Sequence, residues 1–433
     1  MRPTRVASAL VIMGALFVFA PAQAQSRIDA AFQKFWAARS PVEAERVADD
    51  VVRTGVTFDE ALRRLKAGRT YTDQKTGVIK LSNKTSDGFV HNFAVNVPPN
   101  YDPARRYQVR FQLHGGVGGR TTNEPRGTGE IGALAGAEQF YVLPYSWIEA
   151  PWWGDDQVLN LSAIVDELKR TYNIDENRVV VAGVSDGGTG AYYIAMRETT
   201  PYASFLPLNG FIMVLANEEI DQGQLFPDNL RNKPMFVING GKDPLYPEAR
   251  VGPYVEYLKE SGVDIAYYPQ PEAAHNTSWW PQMKDTFEEF VTGHARDPHP
   301  DKLTWQTLDQ NHNRAHWLVI DQLGAQRNDA EMMDMNEVNA ISRLFSRPKP
   351  QGRVDLVRNG NTVEATTKGV AAFTLLLSPD KFDFDQPVKV VANGRMVFNG
   401  RVERSLKTLM KWAARDNDRA MLYGAEVKVN LAK

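Results

Sequence analysis

Hydrophobic and polar positions divide this chain into stretches of different period. Residues 27–68 read as short helices, because Ser40-Pro41-Val42-Glu43 and Thr57-Phe58-Asp59-Glu60 both match the S/T-x-x-E capping box. Pro41 would take the first helical position, where its missing N–H costs nothing. From about residue 73 the pattern turns to strands. "FAVNVPPNY" alternates, "YQVRFQLHGG" runs into glycines, and "QFYVLPYS" and "RVVVAGVS" are the apolar runs of buried strands. Between the last two, Val158, Leu161, Val165, Leu168 and Tyr172 recur at three- and four-residue steps, as on one helix face. "PMFVING", a helical "VGPYVEYLKESG" and "VDIAYYPQ" continue the alternation. Strand-helix-strand repetition predicts an α/β domain over residues 73–296, with a mostly parallel sheet covered by helices.

Beyond residue 296 the class changes. "RDPHPDK" reads as a linker, and "LTWQTL", "AHWLVID", "GRVDLV", "NTVEATT", "VAAFTLLLS" and "VKVVANGRMVF" read as strands. Asn393-Gly394 between two alternating runs is a hairpin signal. One helix, at roughly 404–415, interrupts a β-rich, sandwich-like domain spanning 297–433. Residues 25–72 form a separate helical segment.

The first 24 residues have another character. Arg2 and Arg5 precede "ALVIMGALFVFA", and Ala22-Gln23-Ala24 supplies a small-x-small cleavage pattern. The apolar run is short for a bilayer span, so the expectation is a signal peptide cut near Ala24 and a secreted or periplasmic product. Cleavage takes the net charge from −2 to −4, by removing two arginines and no acid. That balance predicts neither nucleic-acid binding nor a polybasic membrane anchor. At 43% hydrophobic and 24% charged, the chain can build substantial cores. It has no cysteine, so no disulfide, thiol nucleophile or thiolate metal ligand is available.

Chemistry concentrates around "VVVAGVSDGG". Gly183-Val184-Ser185-Asp186-Gly187 is G-x-S-x-G, with an apolar strand before it and a helix pattern after it. Small residues on both sides of the serine permit a tight turn that exposes the hydroxyl, and the following helix aims backbone N–H groups at developing negative charge. A serine hydroxyl needs a base, and the base needs an orienting acid. Asp243 in "NGGKDPLYP" follows one later strand and His275 in "PEAAHNTSWW" follows the next. Asp243 could instead only open an Asp-Pro turn, with Glu248 and Glu272 as competing carboxylates. Upstream, "QLHGGVGG" matches an oxyanion loop, which assigns the donors to the backbone N–H groups of Gly116 or Gly115 and of Asp186.

On these motifs, residues roughly 90–293 resemble the α/β-hydrolases of the exported esterase group. That group includes polyhydroxybutyrate-depolymerase-like, feruloyl-esterase-like and acetylxylan-esterase-like proteins, close to the prolyl-oligopeptidase type. The resemblance implies an α/β-hydrolase fold, a Ser185–Asp243–His275 triad and ester hydrolysis through an acyl-enzyme, with no cofactor and no metal. Candidate substrates are carboxylic esters, including polymeric and carbohydrate-linked ones. A serine peptidase and a non-catalytic binding protein on the same scaffold are the alternatives. Asp186 departs from the neutral residue frequent at its position in these relatives; its side chain reads as a charge favoured at the helix N-terminus, and it could also disfavour anionic substrates.

Other signals are weaker. Trp147, Trp152, Trp153, Trp279 and Trp280 adjoin the expected site, and Trp153 and Trp279 are the foremost candidates to stack on a substrate, against ordinary packing as the alternative. His294, His299, His312 and His316 cluster in sequence without metal-ligand spacing on a helix face.

Overall fold

The computed structural model describes residues 19–86, 88–121, 134–324 and 350–431. Most of the expected leader therefore lies outside the described residues. Among them, no helix is long and apolar enough to cross a membrane.

Three helices come first: α1 (Phe19–Ala37), α2 (Pro41–Arg53) and α3 (Phe58–Ala67). The Ser40 and Thr57 hydroxyls accept from the N–H groups of Glu43 and Glu60, as the capping boxes predict. Their reciprocal arms differ. Glu43 reaches the N–H of Arg39, and Glu60 turns to Arg63 and Arg64.

The central sheet contains β1 (Gly77–Lys84), β2 (Val90–Val97), β3 (Tyr107–Leu113), β4 (Phe140–Pro144), β5 (Ile174–Val184), β6 (Ser204–Leu208), β7 (Met235–Val237) and β8 (Ile265–Tyr267). Their order is β1-β2-β4-β3-β5-β6-β7-β8. β1 and β2 pair antiparallel, as do β2 and β4, and from β4 to β8 every pairing is parallel. Helices α4 (Asp155–Thr171), α5 (Asp186–Arg197), α6 (Glu248–Glu260) and α7 (Trp280–Gly293) cover the sheet. This is the α/β-hydrolase fold. β5 shows why its sequence lacks polar alternation: Val179 and Val181 enter the core on one face, Val180 and Ala182 that on the other. The predicted face of α4 is buried in the first of these cores.

The C-terminal part is a two-sheet sandwich. One sheet joins β10 (Arg314–Ala315), β11 (Leu318–Leu323), β14 (Val370–Leu377) and β17 (Ala425–Asn430). The other joins β16 (Arg395–Gly400), β15 (Val388–Ala392), β13 (Thr362–Lys368), β12 (Gly352–Asn359) and β9 (Lys302–Thr307). Both contribute to one core around Trp305, Trp317 and Phe373. Asn393 and Gly394, at φ 50° and 75°, make the hairpin turn between β15 and β16.

Two features differ from the sequence reading. The interrupting helix, α8 (Leu406–Asp416), packs with α1–α3, so Leu409, Met410 and Ala413 share a core with Phe32, Phe35 and Leu65. The "RDPHPDK" segment, read as a linker, is anchored at the junction by two buried residues, Arg296 and His299, while Asp297, Asp301 and Lys302 stay exposed. Arg296 bonds Asn177, the Thr200 carbonyl and Asp418, and His299 bonds the Ala420 carbonyl. The Arg296 guanidinium can be buried because its charge finds these partners.

Candidate active site

Three loops at the carboxyl ends of β5, β7 and β8 bring Ser185, Asp243 and His275 together. Ser185 sits between β5 and α5 at φ 59° and ψ −119°, a backbone state that costs a non-glycine residue about 1–3 kcal/mol. The turn closes so tightly that a Cβ on Gly183 would stand 2.0 Å from the Gly187 carbonyl oxygen. His275 Nε2 is 2.7 Å from Ser185 Oγ, and His275 Nδ1 is 2.6 Å from Asp243 Oδ2. The carboxylate can only accept, so Nδ1 carries the imidazole proton and Nε2 is left to accept from the serine hydroxyl.

Asp243 serves both roles that its sequence context suggested. Oδ1 accepts from the N–H groups of Leu245 and Tyr246 at 2.8 and 2.9 Å, which builds the turn, while Oδ2 faces the imidazole. The residue is 2% exposed, so its charge acts with little water to screen it. Glu272 points away, to an exposed pair with Lys242. Below the histidine, the buried Asn209 side chain donates to the carbonyl of Asn276 at 2.8 Å, and the Tyr246 ring stands edge-on to the imidazole. No motif pointed to either residue.

The loop after β3 meets the serine directly. A Cβ on Gly115 would lie 2.9 Å from Ser185 Cβ, so only glycine lets the backbone approach this closely. Gly116 takes the left-handed conformation, φ 67°, with open space where a Cβ would be. His114 organises the loop. Its Nδ1 bonds the Gly115 carbonyl at 2.9 Å, its Nε2 accepts from the Ser146 N–H at 3.1 Å, and its carbonyl accepts from Trp152 Nε1 at 2.8 Å. Across from it, Asp186 Oδ2 accepts from the Val117 N–H at 2.7 Å.

The tryptophans divide differently from the expectation. Trp279 is 4% exposed, stands edge-on to Trp280 and belongs to the core that holds Phe236 and Phe287, so it has no open face for a substrate ring. Trp147, Trp152 and Trp280 are also buried, and Trp153 alone of the five is partly exposed. The four C-terminal histidines disperse. His294 and His299 bond separate carbonyls, His316 bonds that of Pro298, and His312 bridges the Arg197 carbonyl and Asp155. Among the described residues no three His, Asp or Glu side chains converge in a metal-binding group.

No protein-family model matches the chain, and no curated protein matches it. Solved structures align with about half of it. A thermostable esterase is 20% identical over 51% of this chain and 63% of its own, with a TM-score of 0.40. A ferulic acid esterase is 15% identical over 51% of this chain and 99% of its own, at 0.39. Porphyromonas gingivalis dipeptidyl peptidase 4 is 12% identical over 51% of this chain and 36% of its own, at 0.38. The chain thus spans less than two thirds of the first and last of these. Likeness at this level bears on neither the substrate nor the bond cleaved.

Proposed function

We propose that the chain is an exported serine hydrolase that cleaves carboxylic esters, with Ser185 as nucleophile, His275 as base and Asp243 as the orienting acid. The observation that carries this reading is the continuous hydrogen-bonded line Asp243–His275–Ser185, set against a glycine loop that touches the serine. His275 Nε2 takes the hydroxyl proton as Oγ attacks the ester carbonyl. The resulting oxyanion is held by the backbone N–H groups of Gly116 and Asp186, the latter at the positive end of α5. Collapse breaks the carbonyl–alkoxy bond, and the imidazolium returns its proton to the leaving alcohol. Water then repeats the sequence on the acyl-enzyme and frees the acid. Trp153, the one partly exposed tryptophan of the five, is the aromatic side chain assigned to stack on the acyl or alcohol group.

The test combines a fluorophosphonate probe with a substrate screen over nitrophenyl acyl esters, feruloyl esters, acetylated xylan and aminoacyl amides. Wild-type protein is labelled at Ser185 and turns over esters. Ser185→Ala loses labelling, and its turnover falls to the residual ~10³–10⁴-fold over water that binding and the oxyanion site supply. Near-wild-type turnover in folded Ser185→Ala would refute the assignment, and preference for aminoacyl amides would make the chain a peptidase.

A further inference from the structure

We infer that the Asp186 side chain is a positioning residue, a brace that holds the oxyanion loop in register with the nucleophile; this rests on the hydrolase reading above. The loop from His114 to Gly119 contains four glycines and would sample many conformations if untethered. On its upstream side it is tied by the three hydrogen bonds of His114. Within it, the N–H groups of Gly119 and Arg120 bond back to the carbonyls of Gly116 and Val117. Neither set connects the loop to the serine.

The Asp186 carboxylate does. Asp186 is the first residue of α5, directly after Ser185, and its Oδ2 accepts from the Val117 N–H at 2.7 Å. Val117 is buried, so its N–H needs a protein partner, and a charge-assisted bond is a strong one. The carboxylate is itself favoured at the positive end of the helix. The bond falls one residue beyond Gly116, on the opposite side from the His114 ties. Gly116 is therefore held from both directions, by the His114 ties upstream and downstream by a carboxylate on the residue directly after Ser185. Displacing a reacting group by about 1 Å can cost on the order of 100-fold in rate, so a slack loop should be felt in the chemical step.

The competing role for this carboxylate is electrostatic exclusion of anionic substrates, and the variants separate the two. Asp186→Ala removes both acceptor and charge, whereas Asp186→Asn removes the charge and keeps an oxygen that can accept from Val117. Both are compared with wild type on a neutral nitrophenyl ester and on one carrying an anionic acyl group, with a trifluoromethyl ketone as oxyanion-site ligand. A brace predicts that Asp186→Ala lowers kcat about 10- to 100-fold on both esters, approaching the loss of one oxyanion donor. KM should shift by less than about threefold, and ketone affinity should fall in parallel with kcat, because the interaction is made in the transition state. Asp186→Asn should recover most of the rate. The brace is overturned if Asp186→Ala keeps wild-type kcat, if the Asn variant is as impaired as the Ala variant, or if the change is confined to the anionic ester. Should the Ala variant fail to fold, the Asn variant decides: a loss of about tenfold or more on the neutral ester would overturn the brace. Wild-type protein that neither hydrolyses esters nor takes the fluorophosphonate would instead sink the hydrolase reading itself.

Discussion

Acid should loosen the junction between the α/β domain and the sandwich, and His299 sets the scale. The residue is 3% exposed, donates from Nε2 to the Ala420 carbonyl and packs edge-on against Tyr423. Burial pushes its pKa down to about 4; Asp380 and Asp297 oppose the shift, and Arg296 reinforces it. His316, fully buried beside Lys233 and Arg296, is displaced in the same direction. A histidine with a depressed folded pKa is neutral in the native state but takes up a proton on unfolding below its ordinary pKa of about 6.5. Its contribution is complete above about pH 6.5 and is lost as pH falls toward about 4. Between about pH 7.5 and about pH 5, His299 alone removes roughly 2 kcal/mol, at a limiting slope of about 1.4 kcal/mol per pH unit. Denaturant unfolding followed by tryptophan fluorescence measures the loss. His299→Gln, which can still donate to Ala420 but does not titrate, should be less stable at neutral pH yet lose about 2 kcal/mol less on acidification. Parallel stability–pH curves for the two proteins would show that this histidine is not the acid-sensitive group.

Three other outcomes follow from the geometry. Asp243→Asn keeps the side-chain shape, but its amide N–H₂ facing His275 Nδ1 would select the wrong tautomer; kcat in the ester assay should fall by about 10⁴-fold, and a fall below about tenfold would remove Asp243 from the site. Glu288 accepts from Arg110 Nη2 through both carboxylate oxygens at 2.6 Å, and Arg110 is fully buried. Glu288→Ala should therefore cost about 3–5 kcal/mol in chemical denaturation, whereas a cost under about 1 kcal/mol would mean that the contacts of Arg110 with Phe287 and Tyr141 suffice. Gly183→Ala forces a methyl into the Gly187 backbone, so fluorophosphonate labelling should be lost even in the soluble fraction; wild-type labelling would show that the turn can yield.

Local pattern carried a large part of this protein. The capping signals at Ser40 and Thr57, the apolar face of α4 and the Asn393-Gly394 turn each depend on residues a few positions apart, so one sequence window contains the whole physical cause. The same holds for strand-turn-helix around Ser185, and the order of Ser185, Asp243 and His275 follows from their places after β5, β7 and β8 in the parallel part of one sheet. What the tertiary structure alone decided are pairings between residues distant in the chain. Arg110 reads as a polar position on a strand until Glu288, 178 residues later, arrives beside it in the core. "RDPHPDK" reads as a linker until Asn177 and Asp418 take its arginine into the domain junction. Trp279 reads as either a substrate platform or ordinary packing until the core with Trp280 buries it, and Asp186 reads as a helix-terminal charge until the loop after β3 delivers the Val117 N–H. Burial is a property of the whole surface that arrives from elsewhere, and hydrophobic period along one segment does not encode which distant polar group will satisfy a buried charge.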